Sequence, residues 1–246
     1  MADPKILLLA GTAEARQLTL VLKERGFDVE ASLAARTSNP KPYPVPTRRG
    51  GFGGATGLEA YLKNNEITAL LNATHPFAAR MTANAEAAAT CTNTPCLHLR
   101  RPEWHPQAGD NWTHVPTLEA AAANLPPGAV AFLATGSGSA QTFATRPDIR
   151  TILRVIEMPE FRAGPNETHV IARPPFLVEH EIKTLRADGI THLVCKNSGG
   201  REGQTKLTAA RTLGLPVIMV DRPAMPDGAD TVQTLDAVLD WLDQRA

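Results

Sequence analysis

Short apolar runs alternate along the chain with longer stretches whose apolar positions recur at helical spacing. That alternation is the signature of repeated β-α units around a mainly parallel sheet. The run Ile6–Ala10 predicts a first, fully buried strand. The amphipathic stretch Ala13–Arg25 predicts a helix, with Gly26 placed to end it. A second strand is predicted over Val29–Leu33, then a helix near Leu58–Asn64 and a strand over Ala69–Thr74. Pro76 suits the first turn of the next helix, Phe77–Ala89, and Cys96–Leu99 reads as a further strand. Between Thr37 and Gly57 the chain carries Pro40, Pro42, Pro44, Pro46 and the glycine-rich run Arg48–Gly54, which predicts loop with one short strand near Arg48.

Arg100–Pro106 reads as a connector, followed by a strand at Trp112–Val115 and a helix at Leu118–Asn124 that Pro126-Pro127-Gly128 ends. The alternation then resumes. Strands are predicted at Val130–Ala134, Thr151–Val155, His169–Ala172, Thr191–Lys196 and Val217–Val220, with helices at Leu177–Ala187, Thr205–Leu213 and Val232–Trp241. The expected fold class is α/β: two Rossmann-like halves with mainly parallel sheets and a cofactor and substrate cleft between them. The expected division is 1–110, an N-terminal dinucleotide-binding domain, and 111–246, a C-terminal Rossmann-like domain that contributes to the cleft.

Composition narrows the function. Lys plus Arg and Asp plus Glu both count 25, so the chain has no global field to attract nucleic acid or an anionic membrane. An anionic ligand has to be held by a local basic cluster. The three cysteines have no Cys-x-x-Cys spacing and the seven histidines no ligand spacing, which predicts reduced thiols and no metal. The apolar run near the N-terminus is too short for a signal peptide or a membrane span, and the expectation is a soluble, cytoplasmic protein.

Candidate chemistry collects where predicted strands end. Gly11, Thr12, Ala13, Glu14 and Arg16 form the first strand-to-helix turn, where a glycine admits a pyrophosphate to free helix N–H groups. The full G-x-G-x-x-G pattern is absent, and a plain tight turn is the alternative. After the second strand, Ser32, Arg36, Thr37 and Ser38 stand without the carboxylate that would bind a ribose 2′-hydroxyl. Arg36 suits a 2′-phosphate instead, so NADPH is the expected cofactor; a solvated loop arginine is the alternative. Thr74, His75 and Phe77 follow another strand, and Thr135, Gly136 and Ser137 repeat the device, with small residues and hydroxyls that could face the cofactor's other side. The loop Lys196, Asn197, Ser198, Gly199, Gly200, Arg201 through Lys206 combines glycines with three cations and reads as an anion-binding nest, without the spacing of a nucleotide triphosphatase P-loop.

Taken in order, the Gly11–Arg16 turn, Ala73-Thr-His-Pro-Phe-Ala78, Arg101-Pro102-x-Trp104, Val194-x-Lys196-Asn-Ser-Gly-Gly200 and Leu213–Val220 followed by Arg222-Pro223 resemble the precorrin-6A reductase family over most of the chain. One departure is Ala10, where the family often has a second glycine. The resemblance implies an oxidoreductase of cobalamin biosynthesis that transfers hydride from NADPH to a ring double bond of precorrin-6A, then protonates it to give precorrin-6B. It also implies hand-over to neighbouring pathway enzymes. A macrocycle fringed with carboxylates needs cations, for which Lys196, Arg201, Lys206, Arg222, Arg173 and Arg48-Arg49 are candidates. Lys196 is the candidate proton donor. Two alternatives stay open: a reductase of the cobalt-containing intermediate, and a non-catalytic dinucleotide-binding module.

Replacing Arg36 with Ala is expected to raise the Michaelis constant for NADPH much more than that for NADH. Steady-state kinetics with both cofactors check this, and an unchanged preference removes Arg36 from the site.

Overall fold

The computed structural model describes residues 4–34, 41–159 and 163–245. The chain forms two compact units, Met1–Arg101 with Pro223–Ala246, and Pro102–Arg222. The first unit contains β1 (Lys5–Leu9), α1 (Ala13–Glu24), β2 (Asp28–Leu33), β3 (Thr47–Arg49), α2 (Ala55–Asn64), β4 (Ala69–Asn72), α3 (Ala79–Thr92) and β5 (Cys96–Leu99). The second contains β6 (Trp112–Val115), α4 (Leu118–Asn124), β7 (Val130–Ala134), α5 (Ala140–Ala144), β8 (Arg150–Val155), β9 (Glu167–Ile171), α6 (Val178–Ala187), β10 (His192–Lys196), α7 (Thr205–Leu213) and β11 (Val217–Val220). The chain then returns to the first unit with β12 (Thr231–Val232) and α8 (Leu235–Asp243).

Every strand pair among the described residues is parallel. The first sheet runs β3-β2-β1-β4-β5-β12 and the second β9-β8-β7-β10-β11-β6. Both have the Rossmann arrangement, in which the strand order reverses once beside the first strand. The sixth position of each sheet is filled out of turn. The strand after β5 joins the second sheet as β6, and the strand after β11 joins the first as β12. This corrects the sequence division at residue 110: the last segment of the chain completes the first unit. The two-residue β12 carries too little pattern to be read. Val232 lies in it, and Thr234 caps α8 by accepting from the Ala237 N–H at 3.2 Å, so that helix starts three residues later than expected.

Alternation along the parallel strands supplies two cores, one on each face. In the first unit, Ile6 and Leu8 face one side with Leu18 and Leu22 of α1 and Val238, Trp241 and Leu242 of α8. Leu7 and Leu9 face the other with Leu58 and Leu62 of α2 and Ala85 and Ala88 of α3. The second unit packs Phe132, Ile152, Leu193, Cys195 and Met219 against Leu185 of α6 and Leu207 of α7. Buried and apolar, the Cys195 thiol is pushed up to about 11. Among the described residues no helix is long and apolar enough to cross a membrane.

The exchange makes α8 part of the first core, so its side chains matter as much as those of β1. Leu242 is 1% exposed. Leu242→Ala is expected to lower stability by about 2–5 kcal/mol, measured by urea denaturation, through lost burial and the cavity left behind.

Candidate functional site

In the first sheet the order reverses between β1 and β4. Their following loops therefore diverge, and ligands of such sheets bind in the crevice this leaves. A small cleft lies there, lined by Thr12, Glu14, Thr74, Pro76, Leu99 and Arg101. Gly11 has φ +126°, a backbone region other residues rarely adopt, and the space around it is open. Its N–H donates to the Tyr43 hydroxyl at 3.2 Å. Thr12 caps α1: its hydroxyl accepts from the Ala15 N–H at 3.1 Å and donates to the Ala73 carbonyl at 2.8 Å, tying the exits of β1 and β4 together.

Glu14, in the first turn of α1, pairs with Arg101 at 2.8 Å, so this carboxylate arrives at the cleft already neutralised. Arg16 lies 5.4 Å from the Tyr43 ring centre, and its buried Nε has no hydrogen-bond partner. Burial raises the Tyr43 phenol, against the opposing pull of the Gly11 N–H and the Arg16 charge. The sequence placed Gly11, Thr12, Ala13, Glu14, Arg16 and Thr74 in one site. Of these, Thr12, Glu14 and Thr74 line the cleft.

At the end of β2, Ser32 accepts from Arg48 Nη1 at 2.7 Å. Arg48 also donates to the carbonyls of Gly50 and Gly51 and stacks 3.9 Å over Phe52. Beside it Tyr61 donates to Glu30, and burial together with that carboxylate pushes the phenol up to about 12. Arg48 was expected on the substrate rim. Parallel pairing of β3 with β2 puts it against Ser32 instead, a register no sequence pattern announced. Arg36 and Thr37 lie outside the described residues.

The loop after β4 opens later into its helix than Pro76 suggested. The Ala78 N–H donates to the His75 carbonyl at 2.7 Å, closing a tight turn before α3 begins at Ala79. His75 is exposed, accepts from the Phe77 N–H through Nδ1, and lies against the Phe77 ring. Below this turn, Glu86, Cys96 and His98 bring their donor atoms within 4.8 Å of one another. The cluster was invisible in sequence because α3 supplies one member and β5 the others. Burial, then the Glu86 charge, pushes the Cys96 thiol well above its usual range, so it stays protonated and unreactive.

The second sheet reverses between β7 and β10, where the other two predicted loops lie. Thr135 shares a 2.6 Å hydrogen bond with Ser139, whose hydroxyl donates to the Gly136 carbonyl, so this loop is closed on itself with Gly136 and Ser137 exposed. The expected nest after β10 is largely a clasp on Pro102–Trp104. Asn197 accepts from the Trp104 N–H at 2.9 Å and returns a bond to its carbonyl at 3.1 Å. Trp104 Nε1 donates to the Gly200 carbonyl. Lys206, 6% exposed, sits 4.5 Å over the Trp104 ring and donates to Gly203. Arg222 donates to the carbonyls of Asn197 and Pro102. The expectation that Asn197, Lys206 and Arg222 face a ligand is thus corrected to a packing role, because a buried tryptophan needs those partners. Arg201 and the half-buried Lys196 and Ser198 stay on the accessible side of the loop.

A family model described as precorrin-6x reductase CbiJ/CobK matches residues 5–243. The precorrin-6A reductase of Rhodobacter capsulatus is 46% identical over 240 residues, covering 97% of this chain and 95% of that protein. The cobalt-precorrin-6A reductase of Priestia megaterium is 30% identical over 237 residues, covering 91% of this chain and 92% of that protein. A solved structure of CobK precorrin-6A reductase matches with a TM-score of 0.93 at 45% identity, covering 98% of this chain and 96% of that one.

The clasp makes a sharp demand at Gly199, where φ is +65° and an added Cβ would stand 2.0 Å from the Pro102 carbonyl oxygen. Gly199→Ala is expected to lower stability by at least about 1–3 kcal/mol from the backbone conformation alone, with the clash in addition. Urea denaturation followed by tryptophan fluorescence measures it, and a wild-type midpoint would contradict the clasp.

Proposed function

The chain belongs to the precorrin-6x reductase family and reduces precorrin-6A, and we propose that it does so with NADPH bound where β1, β2 and β4 end. The observation that carries this reading is the crevice at the strand-order reversal of a Rossmann sheet, bordered by Thr12 and Glu14 at the start of α1 and by Thr74. The residues present fit a dinucleotide. Gly11 leaves open space above the turn, and the first N–H groups of α1 suit a diphosphate. The end of β2 offers Ser32 and Arg48 and no carboxylate, which favours a 2′-phosphate over a bare ribose. Arg36 and Thr37, just beyond, add a guanidinium and a hydroxyl.

When bound, NADPH supplies the hydride. The chain's own residues hold it and manage charge. Arg101 keeps Glu14 from repelling the diphosphate, and the Phe77 ring with exposed His75 stands on the loop whose Thr74 and Pro76 line the cleft, offering a face to a planar group. In the second unit, Lys196 at the end of β10 and Arg201 on the loop that follows serve the substrate's carboxylates, with Thr135, Gly136 and Ser137 at the adjoining strand end. Lys196 is the proposed proton source for the ring carbon that the hydride leaves electron-rich. The metal-free substrate is favoured by relatedness: relatives named precorrin-6A reductase are 38% to 46% identical, and those named cobalt-precorrin-6A reductase 27% to 30%. A neutral chain without a membrane-crossing helix among the described residues suits cytoplasmic work on a small molecule handed between enzymes.

NADPH at a hundred times its dissociation constant is expected to stabilise the protein by about 2.7 kcal/mol. A thermal shift series with NADPH, NADH and ADP reads this out. Equal, negligible shifts for all three would remove the dinucleotide from the crevice.

A further inference from the structure

A chain of hydrogen bonds leads from Thr74, at the lip of the cleft, into the buried interior of the first unit. Asn72 is 4% exposed and His98 2%. The Thr74 backbone N–H reaches Asn72 Oδ1 at 3.1 Å, and the Thr74 hydroxyl reaches the same oxygen at 2.7 Å. A backbone N–H can only donate, so the atom it meets is the amide oxygen. The amide nitrogen therefore faces the other way, toward Thr82 Oγ1 at 3.2 Å and His98 Nδ1 at 2.9 Å. That nitrogen can only donate, so Nδ1 accepts and the imidazole proton sits on Nε2. Nε2 points at Glu86 Oε1, 2.5 Å away. Asn72 Nδ2 has two protons for Thr82 and His98, Nε2 lies also 3.7 Å from Cys96 Sγ, and the order of the whole is set from a single backbone N–H.

Two consequences follow. The cluster of Glu86, Cys96 and His98 is a link in this series and not a metal centre, because a metal ligand at Nε2 would need the proton moved to Nδ1 against Asn72. And the Thr74 hydroxyl, its one proton given to Asn72, offers the cleft only lone pairs. Thr12 has likewise given its proton to the Ala73 carbonyl. Neither threonine can donate to a phosphate oxygen.

We propose that Glu86, His98 and Asn72 are positioning residues that fix Thr74 as an acceptor-only contact, so that the part of the cofactor seated there is a hydrogen-bond donor: a ribose hydroxyl or the carboxamide nitrogen, not the diphosphate. This rests on the cofactor reading above. The polarity of the buried series, and not any new side chain in the cleft, selects which portion of the dinucleotide meets β4.

Long-range proton–nitrogen NMR of the wild-type protein tests the first half directly. His98 is expected as the neutral ring protonated on Nε2, and a proton on Nδ1 overturns the series. Two variants test the second half. His98→Asn places an amide oxygen where Nδ1 stands and preserves the orientation of Asn72, whereas His98→Gln keeps the link to Glu86 and loses that acceptor. NADPH titrated by fluorescence is expected to bind His98→Asn within about threefold of wild type and His98→Gln about tenfold more weakly, the effect of one hydrogen bond. Thr74→Ser, which keeps the acceptor, is expected to bind NADPH about tenfold more tightly than Thr74→Val, which removes it. Equal affinities across each pair overturn the proposal. Absence of NADPH binding in the wild type instead overturns the cofactor reading, and the tautomer is still decided by NMR.

Discussion

A threonine hydroxyl has one proton, and Thr12 gives it to the Ala73 carbonyl. That bond joins the ends of two neighbouring strands at the one place where their loops must part, while the same oxygen starts α1. The crevice, the entry angle of the first helix and the placing of Glu14 against Arg101 all depend on it. Polar atoms at the ends of a doubly covered parallel sheet have no water to turn to, so each must find a partner within the protein. The same requirement, met a second time by Asn72, orders the groups beneath Thr74.

The second unit meets it with different residues. Trp104 is buried with both its backbone groups and its indole nitrogen satisfied by the loop after β10. Two of the segments by which the chain resembles its family, Arg101-Pro-x-Trp104 and Lys196–Gly200, therefore belong together for a physical reason. A glycine at 199 is needed because Pro102 approaches too closely for a side chain. Conserving volume and hydrogen bonds around one tryptophan accounts for much of a loop whose composition suggests anion binding.

How much could be read in advance depended on how local the signal was. The five-residue run of β1 and the spaced leucines of α1 carry their own period, and both elements stand within a residue of expectation. The turns at Gly11 and Thr74 were legible because glycine and strand ends are local marks. Arg48 was misplaced because its partner, Ser32, comes through strand pairing across sixteen residues. The Glu86–His98–Asn72 series joins a helix and two strands and has no linear trace. Lys206 and Arg222 looked like free cations since a charge in sequence says nothing of the ring or carbonyls that will cover it. Chain crossing at β6 and β12 was illegible for a simpler reason: a two-residue edge strand has no pattern to detect.

That crossing has a bearing on biogenesis. As the polypeptide leaves the ribosome, β5 emerges with an unpaired edge, and the strand that immediately follows is destined for another sheet. The proper neighbour, Thr231–Val232, comes only after the whole second unit in the chain. Until then the exposed ladder is open to incorrect pairing. The first unit therefore cannot complete its sheet until the whole of the second has been made, whereas the second, continuous over Pro102–Arg222, has all of its strands by then.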